Sequence, residues 1–309
     1  MSTRRITRRT IACVLLLGAL SIPLRAQTHR TFATPDEAVK ALVAAAKAGN
    51  LDALVEIFGP DSKDLIASSD PTTARQNRQI FVVAAAERTR LEDDGPNKKT
   101  LVIGNEDWPF PVPIAKVANG WQFDTAAGKE EVIDRRIGRN ELAVIDTCLA
   151  YLAAQRRYAQ QGHDGKPAGL YAMTFRSDPG KENGLYWPAK RGQKLSPLGD
   201  LVGQAAQEGR AINTAAGVQP SPFQGYYFKI LNAQGPAAPG GAKQYVVNGD
   251  LSGGFALVAW PAQYGSTGVM TFIVNQDGIV YEKDLGSQTD AAARKITSYN
   301  PDKSWQQVQ

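Results

Sequence analysis

Two carboxylates and two aromatic rings stand close together in the run SDPGKENGLYWPAK: Asp178, Glu182, Tyr186 and Trp187. Glycoside hydrolysis needs little more than this. One carboxyl protonates the leaving oxygen, a second acts as base or nucleophile, and aromatic faces stack the sugar. Asp178 and Glu182 are therefore the candidate catalytic pair, with Tyr186 and Trp187 as candidate binding residues. The competing and favoured reading is a Pro/Gly-rich surface loop pinned by its aromatics. Tyr264 is a further candidate binding residue. With Phe223, Tyr226, Tyr227 and Trp260 it either lines a groove or belongs to strands, where aromatics more often fill the core.

Other chemistries have less to stand on. His163-Asp164 sits in the Gly-rich run GHDGKPAG, and a carboxylate beside an imidazole can orient it for proton transfer. No nucleophile lies at readable spacing, so His163 is expected as a solvated loop residue. Cys148 falls in the middle of a helical pattern beside Leu149, a setting for inert packing rather than a reactive thiol. With His29, His163 and Cys148 as the whole mature complement, a Cys/His zinc site is excluded. The NQDG run at 275–278 and NGD at 248–250 lack the alternating ligands and distal Glu of a calcium loop, and are read as turns. GxSxG, the phosphate-binding GxxxxGK[ST], GxGxxG and HExxH are absent. No cofactor or metal is expected, and the balance leans away from an enzyme.

The N-terminus addresses the compartment. Arg4, Arg5, Arg8 and Arg9 precede an apolar run over 11–22, and Ala26 offers a small residue for cleavage. This is the pattern of a secretory signal over 1–26, too short to span a membrane. Arg8-Arg9 is read as part of an ordinary basic n-region rather than a twin-arginine signal. The chain carries 35 basic and 30 acidic residues. Five of those arginines (Arg4, Arg5, Arg8, Arg9, Arg25) lie in the signal, so the mature chain is balanced. A nucleic-acid or anionic-membrane partner needs a basic excess, so neither is expected, and no stable membrane anchor remains after cleavage. Cys13 leaves with the signal, and Cys148 has no partner for an intramolecular disulfide. A hydrophobic share of 43% is enough for packed cores rather than disorder.

The candidate loop has to be held by ordered elements. Thr34-Pro35-Asp36-Glu37 opens a first helix with a cap, a proline at the first position and two acids. Gly49-Asn50 stops it; a second helix follows over 51–58, and a third over 72–90 with Ile80, Phe81, Ala84 and Ala85 as its apolar side. An acidic turn over 92–96 leads to strands over 100–104, 113–118 and 120–124. The WPFPVP run at 108–113 is an edge or connector, because proline cannot donate to a ladder. Helices followed by a small sheet resemble the nuclear-transport-factor-2-like fold over about 31–125.

A long helix is expected over 128–161, kinked near Gly138, with Leu142, Ile145, Leu149 and Leu152 as its apolar stripe. Three Gly/Pro-rich loops follow it, with a short helix over 199–208 and a strand over 225–231. Runs bounded by NG, SGG, YGSTG and NQDG then predict an antiparallel meander over 245–248, 254–260, 268–275 and 279–283. The long helix is expected to cover that sheet. The whole is an α+β protein: a signal over 1–26, a helical and curved-sheet domain over 27–127, and a helix-plus-meander domain over 128–309.

The runs GRNELAVIDTCLAYLAAQRRYA, FRSDPGKENGLYWPA, PFQGYYFKILNAQGPAAPGGA and YVVNGDLSGGFALVAWPAQYGSTGVMTFIVNQDGIVYEKDLG, with the closing YNPDKSW, resemble the bacterial secreted family called domain of unknown function 2950. The resemblance covers nearly all of the mature chain and implies no activity. A helix ending AQRRY, a variable loop and a small sheet are also similar to the globular part of pilin-like secretion proteins. Pilins keep a long apolar N-terminal helix, whereas a whole domain precedes the helix here. The expected role is a non-catalytic exported protein binding another envelope component, an envelope protein being one such partner, through its Gly/Pro/aromatic loops. The alternative is a periplasmic hydrolase or small-ligand binder using the carboxylates of the 178–187 loop.

Overall fold

The computed structural model describes residues 29–66, 71–189, 195–199 and 222–308. The expected signal over 1–26 and most of the expected helix over 199–208 lie outside them. The chain is α+β and divides into two compact units, Met1–Thr125 and Ala126–Gln309.

In the first unit, α1 (Pro35–Ala48) starts as its sequence dictates. Thr34 Oγ1 accepts from the Glu37 amide at 3.2 Å, and Glu37 reaches back to the Ala33 amide at 3.2 Å. The first bond satisfies a donor that a helix start otherwise leaves unpaired, and the second, from the residue before the cap, fixes the chain as it enters the helix. Gly49 ends the helix at φ 63°, the left-handed cap that glycine adopts without strain. Next come α2 (Leu51–Phe58), capped by Asn50, α3 (Lys63–Ile66) and α4 (Pro71–Glu87). The sheet contains β1 (Thr89–Asp93), β2 (Lys98–Ile103), β3 (Trp108–Pro109), β4 (Ile114–Val117) and β5 (Gly120–Phe123), in the order β1-β2-β4-β5 with β3 also on β2. Phe32, Leu42, Ile57, Leu101, Ile114 and Phe123 form its core.

Two expectations fail in this unit. Helix α4 stops at Glu87 rather than near Arg90, and an unexpected strand β1 follows, paired with β2 from Thr89↔Ile103 to Asp93↔Lys99; it takes the first two residues of the expected acidic turn, whose remainder over 94–96 does turn the chain. Strand β1 is mostly exposed, so it shows no apolar alternation to read. Ile80 is 67% exposed; the buried side of α4 includes Ala85, with Phe81 and Ala84 partly buried.

The second unit begins with α5 (Thr125–Ala159). It continues with β6 (Tyr226–Leu231), β7 (Ala233–Gln234), β8 (Lys243–Gln244), β9 (Val246–Val247), β10 (Asp250–Leu251), β11 (Ala256–Pro261), β12 (Met270–Asn275), β13 (Val280–Asp284), α6 (Thr289–Arg294) and β14 (Gln306–Gln307). The main sheet has the order β14-β13-β12-β11-β6, antiparallel throughout. Strand β11 is buried at every position, because both sheet faces are covered. On one face, Tyr226 meets Glu141 of α5; on the other, Trp260 donates to Asp290 of α6 at 2.9 Å.

The first expected strand of the meander is not in this sheet. Val246–Val247 pairs with Asp250–Leu251 across an Asn248-Gly249 turn as a separate ribbon. Asn248 and Gly249 both have positive φ, 52° and 85°, the conformation that an Asn-Gly hairpin turn requires.

Helix α5 covers the sheet with a stripe that keeps Ile145 and Leu152 of the expected one but not Leu142 and Leu149. Leu142 is 68% and Leu149 46% exposed. Of the expected stripe, Leu152 is buried and Ile145 partly so, and Val144, Cys148, Tyr151 and Gln155 are buried beside them. That face mixes polar with apolar residues, and its polar atoms find partners: Tyr151 Oη donates to the Ala256 carbonyl at 3.2 Å. Reading by hydrophobicity alone therefore set the phase wrongly.

Candidate functional site

The chain after α5 is folded back by the end of the helix itself. Gln155 Nε2 donates to the Ala172 carbonyl at 2.8 Å, and the Ala172 amide donates to Gln155 Oε1 at 2.9 Å. Tyr171 bridges to Leu251, and Arg176 bridges to Tyr186 in parallel. The loop over 162–189 is thus tied by backbone bonds to the helix end and to the β9–β10 ribbon. Gly184 makes one tie possible: a Cβ there would stand 2.5 Å from the Arg176 carbonyl carbon.

His163 is the centre of this arrangement. It lies in a tight turn, with the Lys166 amide donating to the His163 carbonyl at 2.9 Å and Asp164 at φ 47°. Its ring stacks on Tyr158 with centroids 4.0 Å apart and planes 14° apart, and meets Trp187 at 5.7 Å. The residue is 6% exposed, so the expectation of a solvated loop histidine is overturned. Glycines on both sides made the segment read as open. The aromatics that cover the ring come from five residues before it and from the far end of the loop, which no local window joins. The legible signal was Tyr158 five residues ahead, at the end of the helical pattern.

Nε2 of His163 lies 3.1 Å from the Tyr158 carbonyl, and Nδ1 lies 3.4 Å from Glu182 Oε2. That second contact is within ion-pair reach but lacks hydrogen-bond geometry, and Nδ1 has no hydrogen-bond partner. Glu182 is steered by its own backbone, whose amide donates to Asp164 Oδ2 at 2.9 Å. Burial and the Asp164 and Glu182 carboxylates push the Tyr158 hydroxyl up to about 12.

The sequence candidates separate into distinct settings. Glu182 and Trp187 meet at His163. Asp178 does not share their contacts: it accepts from Asn183 Nδ2 at 2.8 Å and pairs with Lys181 at 3.2 Å. Those two partners, Asn183 first, hold its carboxyl below the usual range, the opposite of what a proton donor at neutral pH needs. Tyr186 is half-buried, and its backbone bonds Phe175 and Ser177. Tyr264, 37% exposed, lies between β11 and β12 and donates to Asp284 Oδ2 at 3.1 Å, away from the 162–189 loop's bonds. Tyr226 and Trp260 are core residues. Cys148 is fully buried, and burial pushes its thiol up to about 12.

A second polar cluster went unread in the sequence. Glu141 Oε1 accepts from the Val269 amide at 2.8 Å, the Met270 amide at 2.9 Å and Tyr226 Oη at 3.3 Å. It anchors α5 to the start of β12. Glu282 lies on the same sheet face, directly across from Phe272, and burial followed by repulsion from Glu141 raises its carboxyl above the usual range. Among the described residues, no group of three or more His, Cys, Asp or Glu side chains is placed to hold a metal ion, and no helix is long and apolar enough to cross a membrane.

A family model described as protein of unknown function (DUF2950) matches residues 29–308, and the chain belongs to that family. No curated protein and no solved structure matches the chain.

Proposed function

We propose that this member of the family is an exported binding protein. It leaves the cytoplasm under the 1–26 signal and recognises another envelope component through the loop over 162–189. The observation that carries this reading is the built form of the loop. Its backbone is bridged to α5 and to the β9–β10 ribbon, and Tyr186 and Trp187 are half-buried at its end. Pre-ordered aromatic loops lose little entropy on docking, which suits recognition. Asp178 is engaged in holding the loop's shape rather than offering a proton. Tyr264, exposed between β11 and β12, provides a second contact.

The likeness to the globular part of pilin-like proteins is supported by the long helix over an antiparallel sheet. The weaker likeness to the nuclear-transport-factor-2-like fold is supported by helices packed on the first sheet. A second reading, a hydrolase or small-ligand binder centred on Glu182, is favoured by one observation: its carboxylate faces a buried histidine.

The test is crosslinking in cells of the tagged precursor, with mass spectrometry of envelope proteins and small molecules. Recovery of one envelope protein, reduced in Trp187→Ala, supports the binding reading. Recovery of a monomer holding a small molecule shifts the case to the second reading. Amino-terminal sequencing of the exported form is expected to begin at Gln27; a cytoplasmic, uncleaved chain would overturn export.

A further inference from the structure

The unpartnered ring nitrogen of His163 has a chemical consequence. A carbonyl oxygen only accepts, so Nε2, 3.1 Å from the Tyr158 carbonyl, is the nitrogen that carries hydrogen. In the singly protonated ring Nδ1 is then a lone pair. It faces Glu182 Oε2, another acceptor, at 3.4 Å, while the histidine side chain is only 4% exposed. Two acceptors confront each other with no donor between them; the carboxylate is exposed enough to turn to water, but the buried Nδ1 is not, and an unpaired buried acceptor is costly.

The missing donor is defined by its surroundings. Asp164 lies beside Glu182, accepting from its amide, so the local field is negative. The two nearby lysines of the loop are engaged elsewhere: Lys166 with Asp250, Lys181 with Asp178. The Trp187 ring, 5.7 Å from the imidazole, forms an aromatic wall, and aromatic faces attract cations. A hydroxyl has one hydrogen to give, whereas an ammonium has three and a positive charge. The Glu182 side chain is 52% exposed, which leaves it free to swing and admit a group from solvent.

We infer that His163 Nδ1 and the Glu182 carboxylate, once Glu182 swings outward, bind a primary ammonium between them, so that the component recognised by this loop carries a protonated amine. The inference rests on the binding role of the 162–189 loop, and names the chemistry it selects. The ammonium donates to Nδ1 and to the Glu182 carboxylate and lies against Trp187.

The experiment is a titration of the mature protein with butylammonium, read by nitrogen NMR of the His163 ring and the Trp187 indole N–H. Tetramethylammonium serves as a cation without an N–H. The expected result is an Nδ1 without hydrogen in the free protein and a saturable shift of both residues with butylammonium. Tetramethylammonium should give a much weaker shift, and Glu182→Gln about a tenfold loss of affinity, the size of one charge-assisted hydrogen bond. A free protein whose Nδ1 already carries hydrogen would overturn the inference, since the ring's own second proton would then fill the gap. Equal shifts with the two cations, or unchanged affinity in Glu182→Gln, would overturn it too. Crosslinking that finds no partner while butylammonium binds would remove the envelope role and leave the ammonium site standing.

Discussion

The side-chain amide of Gln155 holds the backbone of Ala172 from both sides, giving one hydrogen bond to its carbonyl at 2.8 Å and taking one from its amide at 2.9 Å. A buried glutamine thereby does the work of a strand, ending the long helix and starting the loop in one contact. Replacing it by leucine keeps the volume and leaves both backbone groups of Ala172 unpaired. Gln155→Leu is expected to destabilise the second unit by about 3 kcal/mol, at the usual penalty for two buried unpaired groups. Urea unfolding of the mature protein measures it; a change below about 0.5 kcal/mol would mean that the clamp contributes nothing.

The helix phase has its own check. Leu152 is 4% exposed, whereas Leu142 is 68% exposed. Leu152→Ala is expected to lower stability by about 3 kcal/mol, as for other core truncations. Leu142→Ala should stay within about 0.5 kcal/mol. Equal losses at the two positions would contradict the burial described for α5.

Cys148 is expected to resist thiol reagents in the native protein and to react once the protein is unfolded. Burial alone raises its thiol to about 12, so thiolate is scarce at neutral pH and access is blocked. Rapid labelling under native conditions would show that α5 leaves the sheet readily.

Glu282 links stability to pH. Its carboxyl is raised in the folded protein, so the native state holds a proton that the unfolded chain has released. That contribution is complete below the ordinary glutamate range and is lost as pH rises through the raised one. Glu282→Gln is expected to flatten this part of the pH profile and to raise the melting temperature on its alkaline side. A parallel, unshifted profile in the variant would rule out Glu282 as its source.

The parts of the fold that were legible in the sequence are those with local causes. Thr34, Pro35, Glu37 and Gly49 place α1 because caps act over four residues. The runs at 254–260, 268–275 and 279–283 mark β11, β12 and β13 because Gly and Asn turns bound them. What escaped was set at a distance. Leu142 and Leu149 looked like core because they are leucines, yet Gln155, Tyr151 and Thr147 lie on the buried side, each with a hydrogen-bond partner. At the site, Glu182 and Trp187 were read together with Asp178 because they share one loop. The residue that joins the first two is His163, brought in from the start of that loop, and Asp178 is occupied by its own neighbours.

The double covering of β11 has a consequence for the order of events at the ribosome. One of its faces waits for Asp290, Arg294 and the residues around Tyr299, which are synthesised after the strands β11, β12 and β13. Until they emerge, a nascent chain holding α5 and β12 presents Trp260 and Val258 to solvent, a surface on which chaperones and proteases act. The second unit therefore closes only when synthesis has passed Tyr299. A ribosome stalled a few residues short of α6 would display a chain that is open to cleavage along the middle of its main sheet.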